Sequence, residues 1–565
     1  MDRMDWKRIP RILLAAPSSG SGKTVITSGL LEALKRRGLA PAAFKCGPDY
    51  IDPMFHREIL GVESGNLDGF FQNRELMRES FLWGCREARI AVIEGVMGYF
   101  DGLGGVTSRA SSWETAKWLE CPVILVADGR GASLSIAAAV QGFLEFLPED
   151  PAKEAELEWQ QTKDGKRFAE PLKEESSRQR PGNGICGILL NRVSPGMYPM
   201  LKEMLEKRFS VPVVGYVPKL DWLHLESRHL GLKLPGEIAD LKDQVERFAQ
   251  KLEETVDMEL LLSVAGLTSN QAAAGRGAGA DEAAAGRAAG EAGKAAAGRG
   301  AHTEKIKEGD TEAEEDGTWQ TDKASGILCR TRLPDRCREV TVGVARDEAF
   351  CFYYRDNLRL LQQAGARLEF FSPIHHSSLP KGVSGLLLGG GYPELYARQL
   401  GENTHMRREI RQAAQDGMPI LGECGGFLYL QELLEDETGA VHPMAGVLSG
   451  SGFGTRKLGR FGYVTLWAKE DSIYVRKGEQ IRAHEFHYWD SDCCGSSMEA
   501  QKPIGSRKWL CMRQEGRILA GFPHLYYPSF PELPRRFVEQ CREYQHTRFI
   551  RGETMNHDCT EGHKW

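Results

Sequence analysis

The sequence contains no apolar stretch near the roughly 20 residues that a membrane-spanning helix needs. Its first apolar run, Ile12 to Ala16, is too short for the core of a signal peptide and leads directly into a glycine-rich loop. No long run of lysine and arginine occurs, and a formal net charge of -6 is small for 565 residues. We therefore expect a cytoplasmic protein with neither a membrane nor a nucleic acid as its partner.

The spacing of the cysteines argues against two further classes of protein. The 13 cysteines are scattered and odd in number, and no two of them are spaced as CxxC. This pattern favours neither a disulfide framework nor a structural zinc site. We interpret the adjacent Cys493 and Cys494 as ordinary packing residues.

Two α/β domains account for most of the length, since 565 residues exceed what one core usually organises. Short apolar runs alternate with amphipathic segments, which is typical of a mostly parallel, doubly wound sheet covered on both faces. An Ala/Gly/Glu/Arg tract between the domains is too poor in large apolar residues to build a core. The predicted organisation is a first domain at 1–262 with a charged insertion at about 148–184, a flexible linker at 263–338, a second domain at 339–548 and a tail at 549–565.

A phosphate-binding loop follows the first predicted strand. The strand RILLAA leads into PSSGSGKT, which begins at Pro17, and then into the helical pattern VITSGLLEALKRR. Backbone N–H groups of such a loop point at phosphate oxygens, while its lysine neutralises the β and γ phosphates and its hydroxyl reaches Mg²⁺. Pro17 stands where the pattern GxxxxGK[ST] has its first glycine. The predicted ATP-binding residues are Ser19, Gly20, Ser21, Gly22, Lys23 and Thr24.

Acidic residues follow two neighbouring segments of the first domain. KCGPDYIDPMFH places Asp49 and Asp52 in a loop, and VIEGVMGYFDG places Glu94 at the end of a buried run. Carboxylates at the C-terminal ends of parallel strands suit a magnesium-bound triphosphate. Taken alone, each acid is also an ordinary cap or turn former, and Lys45 is equally a surface lysine. We predict Thr24, Asp49 and Glu94 as magnesium ligands, and Lys45, Asp52 and Asp101 as contacts of an acyl phosphate or of the substrate.

The second domain carries a candidate nucleophile. MPILGECGGFLYLQELL predicts a strand, a sharp turn and a helix, which places Cys424 at a nucleophile elbow. The helix N-terminus is expected to favour the thiolate and to lower a thiol pKa that is ordinarily near ~8.5. His524, after the apolar run ILAGFP, is the predicted general base, with a structural histidine as the alternative. Backbone N–H groups of Gly390, Gly391 and Gly425 are predicted to form an oxyanion and glutamine site, with a tight structural turn as the alternative.

The segment RAHEFHYWD contains two further histidines on an apparent strand. We interpret His484 and His487, which flank Glu485, as sharing one face of that strand. Two ligands without an obvious third are a poor metal site. Contact with the substrate or with the other domain is therefore the preferred interpretation.

Six phrases in a fixed order resemble the cobyrinate a,c-diamide synthases of cobalamin biosynthesis. They are APSSGSGKT, KCGPDYIDP, EGVMGYFDG, LLLGGGYPE, GECGGFLYL and HEFHY. The resemblance covers both domains, and EGVMGYFDG is closer to this family than to the related cobyric acid synthases. The phosphate loop is also similar to that of dethiobiotin synthetases.

The resemblance implies that the second domain is a class I glutamine amidotransferase with a flavodoxin-like α/β fold. It implies that Cys424 attacks glutamine, that His524 shuttles protons, and that ammonia reaches the ATP site. Carboxylates of a corrin precursor are activated there as acyl phosphates and amidated in turn. ATP, L-glutamine and a cobyrinate-type tetrapyrrole are thus the implied partners, and Mg²⁺ is the implied cofactor. We keep a homodimer as one candidate assembly.

The chain departs from the family pattern at its histidine strand. Where the family often has His-Leu-His, this chain has His524, Leu525 and Tyr526, so that a Cys-His dyad without a third member is expected. Pro523 also restricts Phe522 to an extended conformation. Two alternatives stay open. One is another macrocycle-amidating enzyme, such as a nickel-sirohydrochlorin or hydrogenobyrinate a,c-diamide synthase. The other is a non-catalytic P-loop partner protein of the MinD type.

Overall fold

A computed structural model describes residues 5–148, 182–223, 241–267, 339–455 and 458–550, together with the backbone of two short strands at 318–321 and 328–331. Most of the charged insertion and of the linker therefore lies outside the described residues. No helix in the described ranges is long and apolar enough to cross a membrane.

The N-terminal domain is built on one sheet of parallel strands. These are β1 (Arg11–Ala15), β2 (Pro41–Cys46), β3 (Ser64–Leu67), β4 (Ile90–Glu94), β5 (Val123–Asp128), β6 (Ile185–Asn191) and β7 (Val213–Val217). The strand order is β3-β2-β4-β1-β5-β6-β7, and every neighbouring pair is parallel. All five residues of β1 and of β4 are buried, which is why these strands read as continuous apolar runs. The predicted doubly wound, parallel sheet is confirmed.

Helices cover both faces of this sheet. They are α1 (Lys23–Arg36), α2 (Ile51–Glu58), α3 (Arg74–Gly84), α4 (Ser112–Trp118), α5 (Ser135–Glu145), α6 (Tyr198–Arg208), α7 (Leu241–Thr255) and α8 (Met258–Ala265). Successive β1 side chains enter opposite cores, Ile12 on the side of α1 and α7 and Leu13 on the side of α3 and α5. Helix α8 continues past residue 262, the predicted end of the domain, and Leu267 is still buried in the first of these cores.

The remaining strands follow in chain order. They are β8 (Thr318–Thr321), β9 (Leu328–Thr331), β10 (Val340–Ala345), β11 (Ala366–Phe371), β12 (Val383–Leu388), β13 (Ile420–Glu423), β14 (Leu433–Glu435), β15 (Val441–Pro443), β16 (Ser451–Gly454), β17 (Phe461–Ala468), β18 (Gln480–Phe486), β19 (Trp489–Ser491), β20 (Met498–Gln501), β21 (Lys508–Cys511), β22 (Arg513–Glu515), β23 (Ile518–Gly521) and β24 (His524–Leu525). The helices are α9 (Arg355–Gln363), α10 (Ala397–Glu402), α11 (Thr404–Gln415), α12 (Gly425–Leu430) and α13 (Glu532–Ile550).

The C-terminal domain combines a mostly parallel sheet with an antiparallel sheet and a small mixed sheet of the order β15-β14-β16-β19. The main sheet has the order β11-β10-β12-β13-β23-β22, and only its β22–β23 pair is antiparallel. A second sheet, β21-β20-β17-β18-β24, is antiparallel throughout. The two sheets share one core, in which Val342 of β10 and Leu466 of β17 are both fully buried. The predicted α/β domain is confirmed, whereas the sequence analysis did not predict the antiparallel sheet that carries His524.

Candidate active site

The predicted phosphate loop lies between β1 and α1, as the sequence pattern indicates. Gly22 has φ +95°, a left-handed conformation that glycine adopts without steric cost, and α1 begins at Lys23. The Lys23 ammonium folds back over the loop and donates to the carbonyl oxygens of Ser18 at 3.1 Å and of Met97 at 2.6 Å. Burial, followed by the positive charge of Lys45, lowers the pKa of Lys23 to about 8. The loop is therefore closed by its own lysine.

Four charged side chains form an acid cluster beside this loop, which we define as the buried Lys45, Asp52 and Glu94 and the partly exposed Asp49. Lys45 and Glu94 are register partners on β2 and β4, and their Nζ and Oε1 atoms are 2.5 Å apart. Lys45 Nζ is also 2.7 Å from Asp52 Oδ2 and 4.0 Å from Asp49 Oδ2. The interpretation of Lys45 as a surface lysine is wrong, because three carboxylates surround its ammonium.

The charge of the acid cluster is unbalanced, with three carboxylates facing one ammonium. Burial, followed by the charge of Asp52, raises the pKa of Asp49 to about 7. Burial also raises the pKa of Glu94. Burial alone would lower the pKa of Lys45, but the charges of Glu94 and Asp52 raise it above its ordinary value. A further cation at this place would relieve the repulsion among the carboxylates.

Glu94 connects the acid cluster to the phosphate loop. Thr24 Oγ1 donates to Glu94 Oε1 at 2.5 Å, so the predicted ligands Thr24 and Glu94 are in contact. Glu94 Oε2 is buried and has no hydrogen-bond partner within the parts of the chain that the structure describes. A buried carboxylate oxygen without a donor is costly unless a cation satisfies it. The oxygen donors present therefore fit a hard cation such as Mg²⁺.

Asp101 lies on the other side of the phosphate loop. Its Oδ2 accepts a hydrogen bond from Gly98 N at 2.9 Å. Asp101 therefore stabilises a local turn, which was the alternative interpretation of this residue. Its charge also raises the pKa of Lys23, although burial and Lys45 outweigh it. Asp101 is thus close to the loop but outside the acid cluster.

Three residues that the sequence analysis missed support the loop from β5 and β6. Asn191 Nδ2 donates to Ser21 O at 2.8 Å. Arg192 donates to Gly20 O at 2.9 Å and to Asp128 Oδ2 at 2.6 Å. All three residues stand at the carboxyl ends of parallel strands, where open α/β sheets bind ligands. Their position after a predicted strand could have identified them in the sequence, because β6 ends within the phrase LLNRV.

Cys424 occupies a sharp turn between β13 and α12. Its φ of +50° and ψ of −103° lie outside the regions that non-glycine residues favour, as at the nucleophile elbow of hydrolases. The turn requires Gly426, because a methyl group there would lie 2.0 Å from the carbonyl oxygen of Leu388. The predicted strand, elbow and helix are confirmed.

The predicted lowering of the Cys424 pKa is wrong for this structure. The thiol is only 7% exposed. Burial, followed by the charge of Glu394, raises the pKa of Cys424 above its ordinary value, and a hydrogen bond from the Gly425 N–H opposes this only in part. Helix α12 has six residues, so its N-terminus is a weak source of positive potential. The sequence pattern indicated the elbow but not how deeply the fold buries the sulfur.

We expect Cys424 to be alkylated slowly by iodoacetamide at neutral pH. Only the thiolate reacts and its pKa is raised, so the rate should rise about tenfold per pH unit from about pH 7 to pH 9. Mass spectrometry of the peptide that contains Cys424 measures this rate, and a Cys424→Ser chain provides the unlabelled control. A rate that levels off near neutral pH would instead indicate a stable thiolate.

His524 is buried and neutral beside the same turn. Burial, followed by the charges of His484 and His487, lowers the pKa of His524 to about 3, so the imidazole is uncharged at neutral pH. A methyl group on Gly390 would lie 2.2 Å from His524 Cε1, and one on Gly425 would lie 3.1 Å from Gly391 N. The predicted glycine site therefore borders both the histidine and the elbow.

Among the described residues, no hydrogen bond joins the Nδ1 of the His524 ring to a carboxylate. This nitrogen is buried and has no hydrogen-bond partner in the part of the chain that the structure describes. The carboxylate that the sequence analysis missed is Glu423, which accepts from Leu525 N at 3.2 Å and from the Tyr527 hydroxyl at 2.9 Å. Burial raises the pKa of Glu423 to about 8. Glu423 therefore ties the elbow to the backbone of the histidine strand rather than to the imidazole.

The histidines of HEFHY lie on opposite sides of the sheet, so their predicted common face is wrong. A spacing of three residues reverses the side of a strand. His484 packs against the ring of Tyr463 at 5.8 Å, whereas His487 stacks on Phe522 at 3.9 Å and binds Glu485 Oε1 at 2.9 Å. No group of three or more His, Cys, Asp or Glu side chains suited to a metal ion occurs among the described residues.

One aromatic residue beside the acid cluster packs on two residues of the C-terminal domain. Tyr50, between Asp49 and Asp52, stacks on Phe352 with ring centroids 5.1 Å apart. The same ring lies 5.2 Å from the His524 ring. Asp52 lies in the first turn of α2, so its predicted placement in a loop is wrong. The turn that carries Asp49 packs through Tyr50 on the candidate general base.

Tyr526, which replaces the second histidine of the family pattern, joins the two domains. Its ring stacks on Phe71 at 4.8 Å. Its hydroxyl accepts from Gln72 Nε2 at 2.6 Å and donates to Asp356 Oδ2 at 2.8 Å. Strand β24 consists of His524 and Leu525, and Tyr526 follows it directly. The contacts of Tyr526 therefore hold this strand against the N-terminal domain.

Comparison with known proteins identifies both domains. Residues 12–232 match the family described as a CobQ/CobB/MinD/ParA nucleotide binding domain, and residues 341–528 match a CobB/CobQ-like glutamine amidotransferase domain. The cobyrinate a,c-diamide synthase of Salmonella typhimurium is 34% identical over 537 residues, which cover 94% of this chain and 98% of that protein. The enzyme of the same name from Dehalococcoides mccartyi is 31% identical over 541 residues, covering 95% and 99%. The one from Listeria innocua is 34% identical over 530 residues, covering 93% and 97%.

Proposed function

The chain belongs to the family of the cobyrinate a,c-diamide synthases, and from this premise we propose that it converts the a- and c-acetate carboxylates of cobyrinate into amides. ATP supplies the activation and glutamine supplies the nitrogen. The observation that carries the proposal is that the ring of Tyr50, which follows Asp49, packs on the ring of His524 with the ring centroids 5.2 Å apart. It joins a nucleotide site and a glutaminase site into one unit.

In the first half-reaction, the Cys424 sulfur attacks the amide carbon of glutamine while its proton passes to the neutral imidazole of His524. The glycine turn at 389–391 and the N–H of Gly425 stabilise the oxyanion that develops on the carbonyl oxygen. His524 returns the proton to the leaving nitrogen, and ammonia departs. Water then hydrolyses the thioester, which releases glutamate and restores the thiol.

In the second half-reaction, an acetate oxygen of the substrate attacks the γ phosphorus of ATP, and ADP leaves. Ammonia from the Cys424 site then attacks the acyl phosphate, and inorganic phosphate leaves. The loop at Ser19–Thr24 holds the triphosphate and Lys23 neutralises its charge, while Lys45 attracts the acetate group and, with Asp52 and Asp101, contacts the acyl phosphate. We propose Thr24, Glu94 and Asp49 as ligands of Mg²⁺, which supplies charge neutralisation at the phosphates when it is bound.

The test is to offer cobyrinate, or its cobalt-free analogue, to the chain with ATP, Mg²⁺ and glutamine labelled with heavy nitrogen in its side-chain amide. We expect two labelled amides per product molecule by mass spectrometry. A parallel reaction with nickel-sirohydrochlorin separates the nearest alternative. No labelled product from cobyrinate would overturn the proposal, and ATP binding without glutamine hydrolysis would favour the non-catalytic partner protein.

A further inference from the structure

One face of β17 and β18 carries aromatic side chains that the two half-reactions do not use. The antiparallel register pairs Phe461 with Phe486 and Tyr463 with His484, so all four side chains lie on one face. We call these four residues the aromatic ledge. Ring centroids are 5.2 Å apart for Phe461 and Phe486 and 5.8 Å apart for Tyr463 and His484. The opposite face is in the core, where Val464 is fully buried.

The inner end of the aromatic ledge touches the N-terminal domain beside the acid cluster. The Tyr463 hydroxyl donates to Asp68 Oδ2 at 2.7 Å, and its ring lies 4.6 Å from that of Phe70. A methyl group on Gly47 would lie 3.7 Å from the Tyr463 hydroxyl oxygen. Because Gly47 opens the turn that contains Asp49 and leads into α2 with Asp52, the ledge begins at the edge of the proposed amidation site.

The outer end of the aromatic ledge is open to solvent. Phe461 is 50% exposed, although it is a large apolar side chain. Ile504, 36% exposed, approaches the loop after Asp101, since a methyl group on Gly104 would lie 3.1 Å from Ile504 Cδ1. The loop after Asp101 therefore contacts Ile504, which lies between Lys502 and Arg507 in the sequence.

Two cations stand beside the exposed end. Lys502 Nζ donates to the carbonyl oxygen of Phe461. Lys502 and Arg507 also lie over the ring of Trp509, with Nζ and Cζ at 5.9 Å and 5.4 Å from its centroid. An ammonium has three donors and a guanidinium has five, so both groups can bind carboxylates while they keep these contacts.

We propose that the aromatic ledge binds one face of the tetrapyrrole ring, and that Lys502 and Arg507 bind ring carboxylates that are not being amidated. This inference rests on the proposed function and adds the place of the substrate to it. A tetrapyrrole is a broad apolar ring edged with carboxylates, and the aromatic ledge with its two cations complements it in shape and charge. Seated there, the ring directs a peripheral acetate group into the acid cluster.

Equilibrium binding of cobyrinate to the full chain without ATP, followed by quenching of protein fluorescence, tests this proposal. We expect Phe461→Ala and Lys502→Gln each to raise the Kd for cobyrinate roughly three- to tenfold. The Lys502→Gln protein should also lose part of the salt dependence of Kd. Matched controls are Phe453→Ala, an exposed aromatic residue on β16, and the exposed Lys477→Gln, which should leave Kd unchanged.

Activity measurements separate binding from folding. Phe461→Ala should raise KM for cobyrinate by a larger factor than it changes kcat, and Phe461→Leu should lie in between. If both Phe461→Ala and Lys502→Gln have the Kd of the parent, the proposed binding of the tetrapyrrole to the aromatic ledge is overturned. The proposed function is not affected by that result. A parent chain that neither binds nor amidates cobyrinate would overturn both.

Discussion

Replacing Cys424 with serine is expected to lower glutamine-driven amidation by about 10³-fold or more, whereas amidation driven by added ammonia should stay within about twofold of the parent. The hydroxyl keeps the shape of the elbow but is a far weaker nucleophile than sulfur. In the proposed reaction, acyl-phosphate formation depends on the phosphate loop and the acid cluster, which this substitution does not touch. Initial rates of ADP release and of amide formation, each with glutamine and with ammonium chloride, measure the effect.

The matched control is Cys493→Ser, a partly exposed free cysteine of the same domain. It should leave both nitrogen sources equally effective. Because Cys424 is buried in a strained turn, the thermal unfolding midpoint of the serine protein is measured alongside the rates. Glutamine-driven amidation that survives at the parent rate would show that another residue is the nucleophile.

Glu94→Gln is expected to lower amidation by about 10²- to 10³-fold with either nitrogen donor, while basal glutamine hydrolysis persists. Glu94 is fully buried and joins Thr24 of the phosphate loop to Lys45 of the acid cluster. The amide keeps the size of the side chain but removes the charge that is proposed to hold Mg²⁺. Rates of ADP release over a range of Mg²⁺ concentrations measure the effect, and the variant should need more Mg²⁺ for half-maximal rate.

Glu87→Gln is the control for charge alone, because Glu87 is an exposed acid of the same domain whose side chain is 83% accessible. It should behave as the parent. Lys45 keeps its 2.7 Å ion pair with Asp52 in the Glu94→Gln protein, so the variant is expected to fold. Parent-like ADP release and an unchanged requirement for Mg²⁺ would remove Glu94 from the nucleotide site.

The local features of both sites were predictable because each is encoded in a few consecutive residues. Glycines after an apolar run indicated the turn at Gly22, and the strand, turn and helix around Cys424 were readable in the same way. The acids after β2 and β4 could be placed at one edge of the sheet, because parallel strands end together. Backbone chemistry within about ten residues was sufficient for these features.

Two of the errors arose where distant segments set the environment of a side chain. The helix after Cys424 suggested a lowered pKa, but burial in the complete fold raises the pKa of the thiol. From the sequence Lys45 was equally a surface lysine or a substrate contact, and only β4 places Glu94 beside it. His484 and His487 were assigned to one face, although their spacing alone excludes this on a regular strand.

Glycine and apolar patterning determined, by themselves, two α/β domains, a phosphate loop ending at Thr24 and a cysteine elbow, because turn conformations and strand burial depend on local steric rules. Tertiary structure alone decided that Tyr50 packs on His524, that Glu423 ties the elbow to β24, and that the aromatic ledge borders the acid cluster. These contacts join residues that are at least 102 positions apart in the sequence. Desolvation and packing between such residues depend on the complete fold, so no short segment encodes them.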